Sequence, residues 1–157
     1  NEYENGVNTA VARFERERPN IKKWNQKMKD VVKRYLAIRD VYEVLLYNEK
    51  GFLTEGSKSN LFFIVDNKVV TAPGECVLKG ITRKYVIKSI LNLDIEFHEQ
   101  LVHVTDLLKY DAVFITGTSP GVLPVREIKS CCHADPKNPV LRKIMAGYRN
   151  ELEKTLI

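Results

Sequence analysis

No stretch of the chain is apolar for long enough to cross a bilayer; the longest apolar runs, such as residues 61–65 (LFFIV), have the length of a strand. Residues 1–8 are polar and acidic and carry no apolar segment of the kind a secretory signal needs. Cysteine is scarce. Cys76, Cys131 and Cys132 are odd in number and lack metal-ligand spacing, and His98, His103 and His133 form no ligand cluster with them. This pattern predicts free thiols in a reducing cytoplasm, with no structural zinc or other metal. Cys131 and Cys132, although adjacent, read as ordinary surface or core thiols. The chain also does not begin with methionine, and a fragment or processed chain is the expectation.

What is present is the composition of an ordinary globular protein. The chain has 157 residues, 44% hydrophobic and 29% charged, enough for one domain with or without an extra arm. The net charge of +5 raises the question of a nucleic-acid surface. Lysine and arginine are scattered along the whole chain, however, and no nucleic-acid motif accompanies them. The expected partners are anionic small molecules, with neither nucleic acid nor membrane.

Apolar periodicity organises the rest. Residues 6–13 alternate as a strand, and residues 15–19 (ERERP) form a connection that ends at proline. Residues 26–38 place Met28, Val31, Val32, Tyr35 and Leu36 at helical spacing with lysines between them. Short strands follow at 43–47, 52–54, 60–65 and 69–72, joined by turns as in a meander. A helix opens at residues 80–83 and carries Tyr85, Val86, Ile87, Ile90 and Leu91; residues 94–98 alternate as a strand. Residues 104–109 predict a short helix with Thr105 as its N-cap. Residues 111–116 and 122–128 are strands, and 139–156 a terminal helix. Strands dominate the middle and helices interrupt them singly, so the expected fold class is α/β with a mixed sheet. Tyr35, Phe62, Phe63, Tyr85 and Phe114 read as packing residues.

Two segments have the makings of an anion site. Gly80, Ile81, Thr82 and Arg83 precede an amphipathic helix, whose first-turn N–H groups and dipole attract negative charge. Gly117, Thr118 and Ser119 follow a buried strand, where α/β sheets commonly bind ligands. Each alone reads equally as a helix cap or a turn. Glu55 stands at a strand end among small polar residues, either as a solvated turn residue or as a buried acid aimed at a ring nitrogen.

Three ordered motifs carry a family resemblance. Residues 48–65 (NEKGFLTEGSKSNLFFIV) closely resemble the signature of class IV (fold-type IV) pyridoxal-phosphate aminotransferases, an acidic-Gly-hydrophobic turn followed by TEGSxSNxF. Residues 78–83 (LKGITR) match the family's LxGITR, and residues 114–125 (FITGTSPGVLPV) resemble its FxTGTxxxxxPV block. The match covers most of residues 20–128.

The resemblance implies the D-amino-acid aminotransferase-like fold, here its C-terminal domain over residues 19–157, with a partly barrel-like mixed sheet and flanking helices. Residues 1–18 would be the strand and connection arriving from a smaller N-terminal domain that supplies a phosphate-binding arginine and much of the substrate pocket. Nothing in this chain corresponds to that domain, so low turnover by the chain alone is expected. The implied cofactor is pyridoxal 5′-phosphate, and the implied reaction is amino-group transfer between an amino acid and a 2-oxo acid by a homodimer.

By the same resemblance, Glu55 would hold the pyridine nitrogen protonated. The backbone N–H groups of Ile81 and Thr82, with the Thr82 hydroxyl, would hold the phosphate. Thr118 would close its other side, and the Ser119 backbone would contact the substrate carboxylate. The Schiff-base lysine is placed upstream in a K-x-x-N spacing that Lys22 and Asn25 supply. Lys23 competes, because successive side chains of an extended segment face opposite ways; Lys22 is favoured. Branched-chain aminotransferases follow the asparagine with a tyrosine, whereas Gln26 stands here. That departure leans toward D-amino-acid aminotransferases or 4-amino-4-deoxychorismate lyases, which release pyruvate with the same lysine. A non-catalytic dimerisation or scaffold relative is the reading from another class.

Overall fold

A computed structural model describes residues 1–15 and 26–155, with the side chains of Ile38 and Arg39 outside that description. Lys22, Lys23 and Asn25 lie outside the described residues.

The alternation seen in the sequence folds as strands that present one set of side chains inward and the other outward. After a single-turn helix α1 (Glu2–Asn5), strand β1 (Val7–Arg13) enters the sheet, and helix α2 (Gln26–Arg39) follows. Then come β2 (Glu43–Tyr47), β3 (Phe52–Gly56), β4 (Asn60–Val65) and β5 (Lys68–Thr71), helix α3 (Ile81–Asn92), and β6 (Glu96–Glu99). Strands β7 (Val102–His103), β8 (Ala112–Gly117), β9 (Gly121–Ile128) and β10 (Cys132–His133) precede the terminal helix α4 (Pro139–Thr155). The strands run in the order β6-β5-β4-β8-β9-β1-β2-β3-β7, with β10 added beside β9. A further pairing of β3 with β4 joins the path to itself, so β4, β8, β9, β1, β2 and β3 form a closed, barrel-like ring. β1 is parallel to both β2 and β9, whereas β2–β3, β4–β5, β4–β8 and β8–β9 are antiparallel. The sheet is thus mixed, as expected.

Three apolar clusters follow from this alternation. Leu61 and Phe63 of β4, Val113 and Ile115 of β8, Leu123 and Val125 of β9, Leu45 of β2 and Leu53 of β3 fill the ring's interior. The alternate residues, Phe62, Ile64, Ala112 and Phe114, face outward and are covered by Val86 and Ile90 of α3 and Leu141 and Ile144 of α4. Phe62 and Phe114 stack there with ring centroids 4.9 Å apart. Met28 of α2 covers Ala12, Val44 and Leu46 in the third cluster, with Val31, Val32, Tyr35 and Leu36 beside it. Each fully buried aliphatic side chain of this kind contributes about 1.5–3 kcal/mol.

Several details differ from expectation. The strand expected at 94–98 begins at Glu96, because α3 runs to Asn92 and Asp94 then takes a left-handed φ of 57°. The segment Val104–Lys109 is a 3₁₀ helix capped by His103, whose Nδ1 accepts from the Thr105 N–H; Thr105 is not the cap. Neither α1 nor the short strand β10 was legible as periodicity. Asn138 caps α4 by accepting from the N–H groups of Val140 and Leu141 at 3.0 and 3.2 Å. Among the described residues, no helix is long and apolar enough to cross a membrane, no His, Cys, Asp or Glu cluster could hold a metal, and Cys76, Cys131 and Cys132 form no disulfide.

Candidate functional site

The site begins with an irregularity in β3. Tyr47 of β2 pairs with Leu53, but its neighbour Leu46 pairs with Glu55, so Thr54 is an extra residue on β3. Directly opposed residues of an antiparallel pair share a face, and a bulge of this kind re-aims the residues after it. Leu53 therefore packs inside the ring with Tyr47, while Glu55 turns to the outer face that it shares with Leu46. Were Thr54 paired regularly with Leu46, Glu55 would fall opposite Leu45 and point into the apolar interior. It is 3% exposed.

Asn60, at the start of β4, sits opposite both Glu55 of β3 and Thr116 of β8. It shares the outward parity of Phe62 and Ile64. Its Nδ2 donates to the carbonyl of Leu78 at 2.8 Å, and the Leu78 N–H donates to Glu55 Oε1 at 3.3 Å. Two residues on, a Cβ at Gly80 would lie 3.0 Å from Asn60 Oδ1, so glycine lets the chain pass this close. The TEGSKSN segment thus fixes the approach to α3.

At α3 itself, the N-cap is Gly80, which supplies no side-chain hydrogen bond, and the first turn holds no acidic residue. The first helical bond runs from Lys84 N to Gly80 O at 3.3 Å, which leaves the N–H groups of residues 81–83 without helical acceptors. Thr82 is buried at 7% exposure, whereas the Ile81 side chain is 74% exposed, so Ile81 can offer the site only its backbone. Arg83 is anchored to the sheet, with its Nε buried and unpartnered among the described residues. Its guanidinium donates to Ala72 O at 3.1 Å and to Glu99 Oε1 at 3.3 Å, tying α3 to the ends of β5 and β6.

The third motif closes in from β8. A Cβ at Gly117 would stand 3.5 Å from the carbonyl of Lys58, which places the 117–120 loop against the 57–59 loop. Thr118 and Ser119 are exposed there, and Tyr3 of α1 steadies the loop by donating to Pro120 O at 2.8 Å. Thr116 Oγ1 is buried with no hydrogen-bond partner among the described residues, on the face it shares with Asn60.

Glu55, Ile81, Thr82, Thr118 and Ser119 therefore belong to segments that the sheet brings to one end of the ring. Lys22 lies outside the described residues. Three residues of this region were not singled out as site residues from sequence. Asn60 and Thr116 were read as strand residues. Glu43 was read as the head of an apolar strand, yet it is 1% exposed and accepts from Val44 N, Ser57 Oγ, Lys58 N and Ser59 Oγ. The available signal was a single carboxylate heading the otherwise apolar run 43–47.

The arrangement fits a phosphorylated pyridine cofactor on two observations: an uncapped helix start suited to a dianion, and an unpartnered buried hydroxyl at Thr116, opposite Asn60. A buried carboxylate at Glu55 lies on the same face for a ring nitrogen.

Comparison with known proteins agrees. The family model described as amino-transferase class IV matches residues 3–128. A protein of Thermotoga maritima named "Probable branched-chain-amino-acid aminotransferase" is 40% identical over 122 residues, covering 76% of this chain and 44% of that protein. The D-alanine aminotransferase of Staphylococcus haemolyticus is 32% identical over 155 residues, covering 97% of this chain and 55% of that protein. The crystal structure of the Escherichia coli branched-chain amino acid aminotransferase superposes with a TM-score of 0.81 at 27% identity, over 93% of this chain and 52% of that one. The chain spans about half the length of the relatives it matches. The chain belongs to the class IV aminotransferase family.

Proposed function

We propose that the intact protein transfers an amino group between an amino acid and a 2-oxo acid with pyridoxal 5′-phosphate bound at this site. The observation that carries the reading is the convergence of Glu55, the uncapped start of α3 and the 117–120 loop on one end of the ring, through Asn60 and Leu78. Bound there, the cofactor supplies an electron sink for the pair released at the substrate's α-carbon. Glu55 holds a proton on the ring nitrogen, which strengthens that sink. The N–H groups of Ile81 and Thr82 and the Thr82 hydroxyl bind the phosphate, with Thr118 on its other side. The Ser119 backbone orients the substrate carboxylate. The Lys22 Nζ carries the cofactor and then moves a proton to and from the α-carbon. A homodimer is part of the same family reading, and light scattering on the intact protein tests it.

Absorbance tests the reaction class. The intact protein loaded with pyridoxal phosphate should lose its long-wavelength band when an amino acid is added and regain it with a 2-oxo acid. An unchanged band, together with pyruvate release from 4-amino-4-deoxychorismate, would replace transfer by the lyase reaction.

A further inference from the structure

We infer that Glu43 is a positioning residue that shapes the cofactor site without touching the cofactor; the inference rests on the functional reading above. Glu43 heads β2 and is 1% exposed, and it belongs to none of the three motifs that carry the family resemblance. Among the described residues no cation lies within ion-pair distance of it. Its charge is met instead by directed donors. Oε1 accepts from Val44 N at 2.9 Å and from Ser57 Oγ; Oε2 accepts from Lys58 N at 3.1 Å and Ser59 Oγ at 3.2 Å.

Three of these four donors lie in the loop between Glu55 and Asn60. Two backbone bonds complete the loop, Ser57 N to Val44 O and Gly56 N to Ser59 O, each 2.9 Å. A Cβ at Gly56 would lie 2.2 Å from Ser59 Oγ and 3.1 Å from Glu43 Cγ, so the backbone is pressed onto the carboxylate. A buried carboxylate satisfied by several hydrogen bonds is a rigid anchor, because losing any one donor leaves charge unsolvated. Glu55 and Asn60 stand at the two ends of the anchored loop and together fix Leu78 ahead of α3. Lys58 O, at the loop's centre, borders Gly117. One side chain outside the motifs therefore sets the relative placement of all three.

Glu43→Gln tests this in the intact protein. The amide oxygen can keep the bonds from Val44 and Ser57, but its NH₂ would then face the Lys58 N–H, donor against donor. Hydrogen exchange at the Lys58 amide should accelerate about tenfold while Phe62 and Ile115 in the ring keep their protection, and pyridoxal phosphate should bind about tenfold more weakly. Unchanged exchange at Lys58, unchanged cofactor affinity, or loosening spread evenly through the ring would overturn the inference. Should Glu43→Gln fail to fold, Ser59→Ala removes one donor to Oε2, and the same two readings decide in the same sense. If the unaltered protein binds no pyridoxal phosphate, the functional reading falls; faster exchange confined to Lys58 would still establish the anchor.

Discussion

Glu55 and Asn60 grip the two polar groups of one residue: Glu55 accepts from the Leu78 N–H, and Asn60 donates to the Leu78 carbonyl. The pair also forms the single β3–β4 pairing that closes the ring. Sheet closure and site assembly are therefore the same contact. Asn60→Ala should cost about 1–3 kcal/mol of stability and loosen the start of α3. Denaturation midpoints and cofactor titration check this together; lost stability with full cofactor affinity would separate the two roles.

Replacing Glu55 by glutamine keeps the volume and the bond from Leu78 but removes the charge proposed to hold a ring proton. Cofactor binding should survive within about tenfold, while turnover falls by about a hundredfold or more. Steady-state kinetics beside a binding titration provides the check.

Ile81 offers a clean subtraction. Gly80 has φ −68° and ψ 153°, a conformation that tolerates a following proline, and proline suits the first helical position. Ile81→Pro should preserve α3 and delete one N–H of the proposed phosphate site, weakening pyridoxal phosphate about tenfold. Ile81→Ala should leave affinity unchanged because the side chain points to solvent. Equal effects of the two would contradict a backbone role.

The bulge in β3 gives a sharper case. Deleting Thr54 should turn the bulge into regular pairing that keeps Leu53 opposite Tyr47 and Glu55 opposite Leu46, so Glu55 stays on the outer face and cofactor binding should persist. Combining the deletion with Glu55→Leu should weaken cofactor binding, since only the second change removes the carboxylate. A cofactor titration in which the double variant binds as well as the single deletion would show that Glu55 is dispensable.

Glu151 sets an acid limit on stability. Burial pushes its carboxyl upward, but the hydrogen bond from Asn92 and the charges of Lys154 and Lys88 outweigh burial and hold it below the usual range. A carboxylate lowered by folding stabilises above its unfolded value and loses that contribution as pH falls through the folded one. Glu151→Gln should thus lower the melting temperature at about pH 6 and converge on the unaltered protein toward about pH 3. A constant difference across that range would contradict the assignment.

Much of this was legible in the sequence because it is periodic or motif-like. The outward and inward sets of β4 and β8 follow from strict alternation, and α3 opens where Gly80 to Arg83 placed it. What was hidden depends on contacts distant in sequence. The bulge at Thr54 exists only relative to Leu46 and Tyr47, so alternation alone would send Glu55 to the wrong face. The role of Glu43 needs a loop 14 to 16 residues away, and the role of Asn60 needs Leu78, 18 residues on. His103, capping its own 3₁₀ helix, took the place that local propensity gave to Thr105.

The central claim is that this end of the ring holds pyridoxal phosphate on a lysine. It is tested most directly by loading the intact protein, reducing with borohydride and mapping the modified peptide by mass spectrometry. The predicted result is a single pyridoxyl group on Lys22. Labelling confined to Lys23 would keep the chemistry and move the residue by one place. Scattered low-level labelling, or none, would contradict the account.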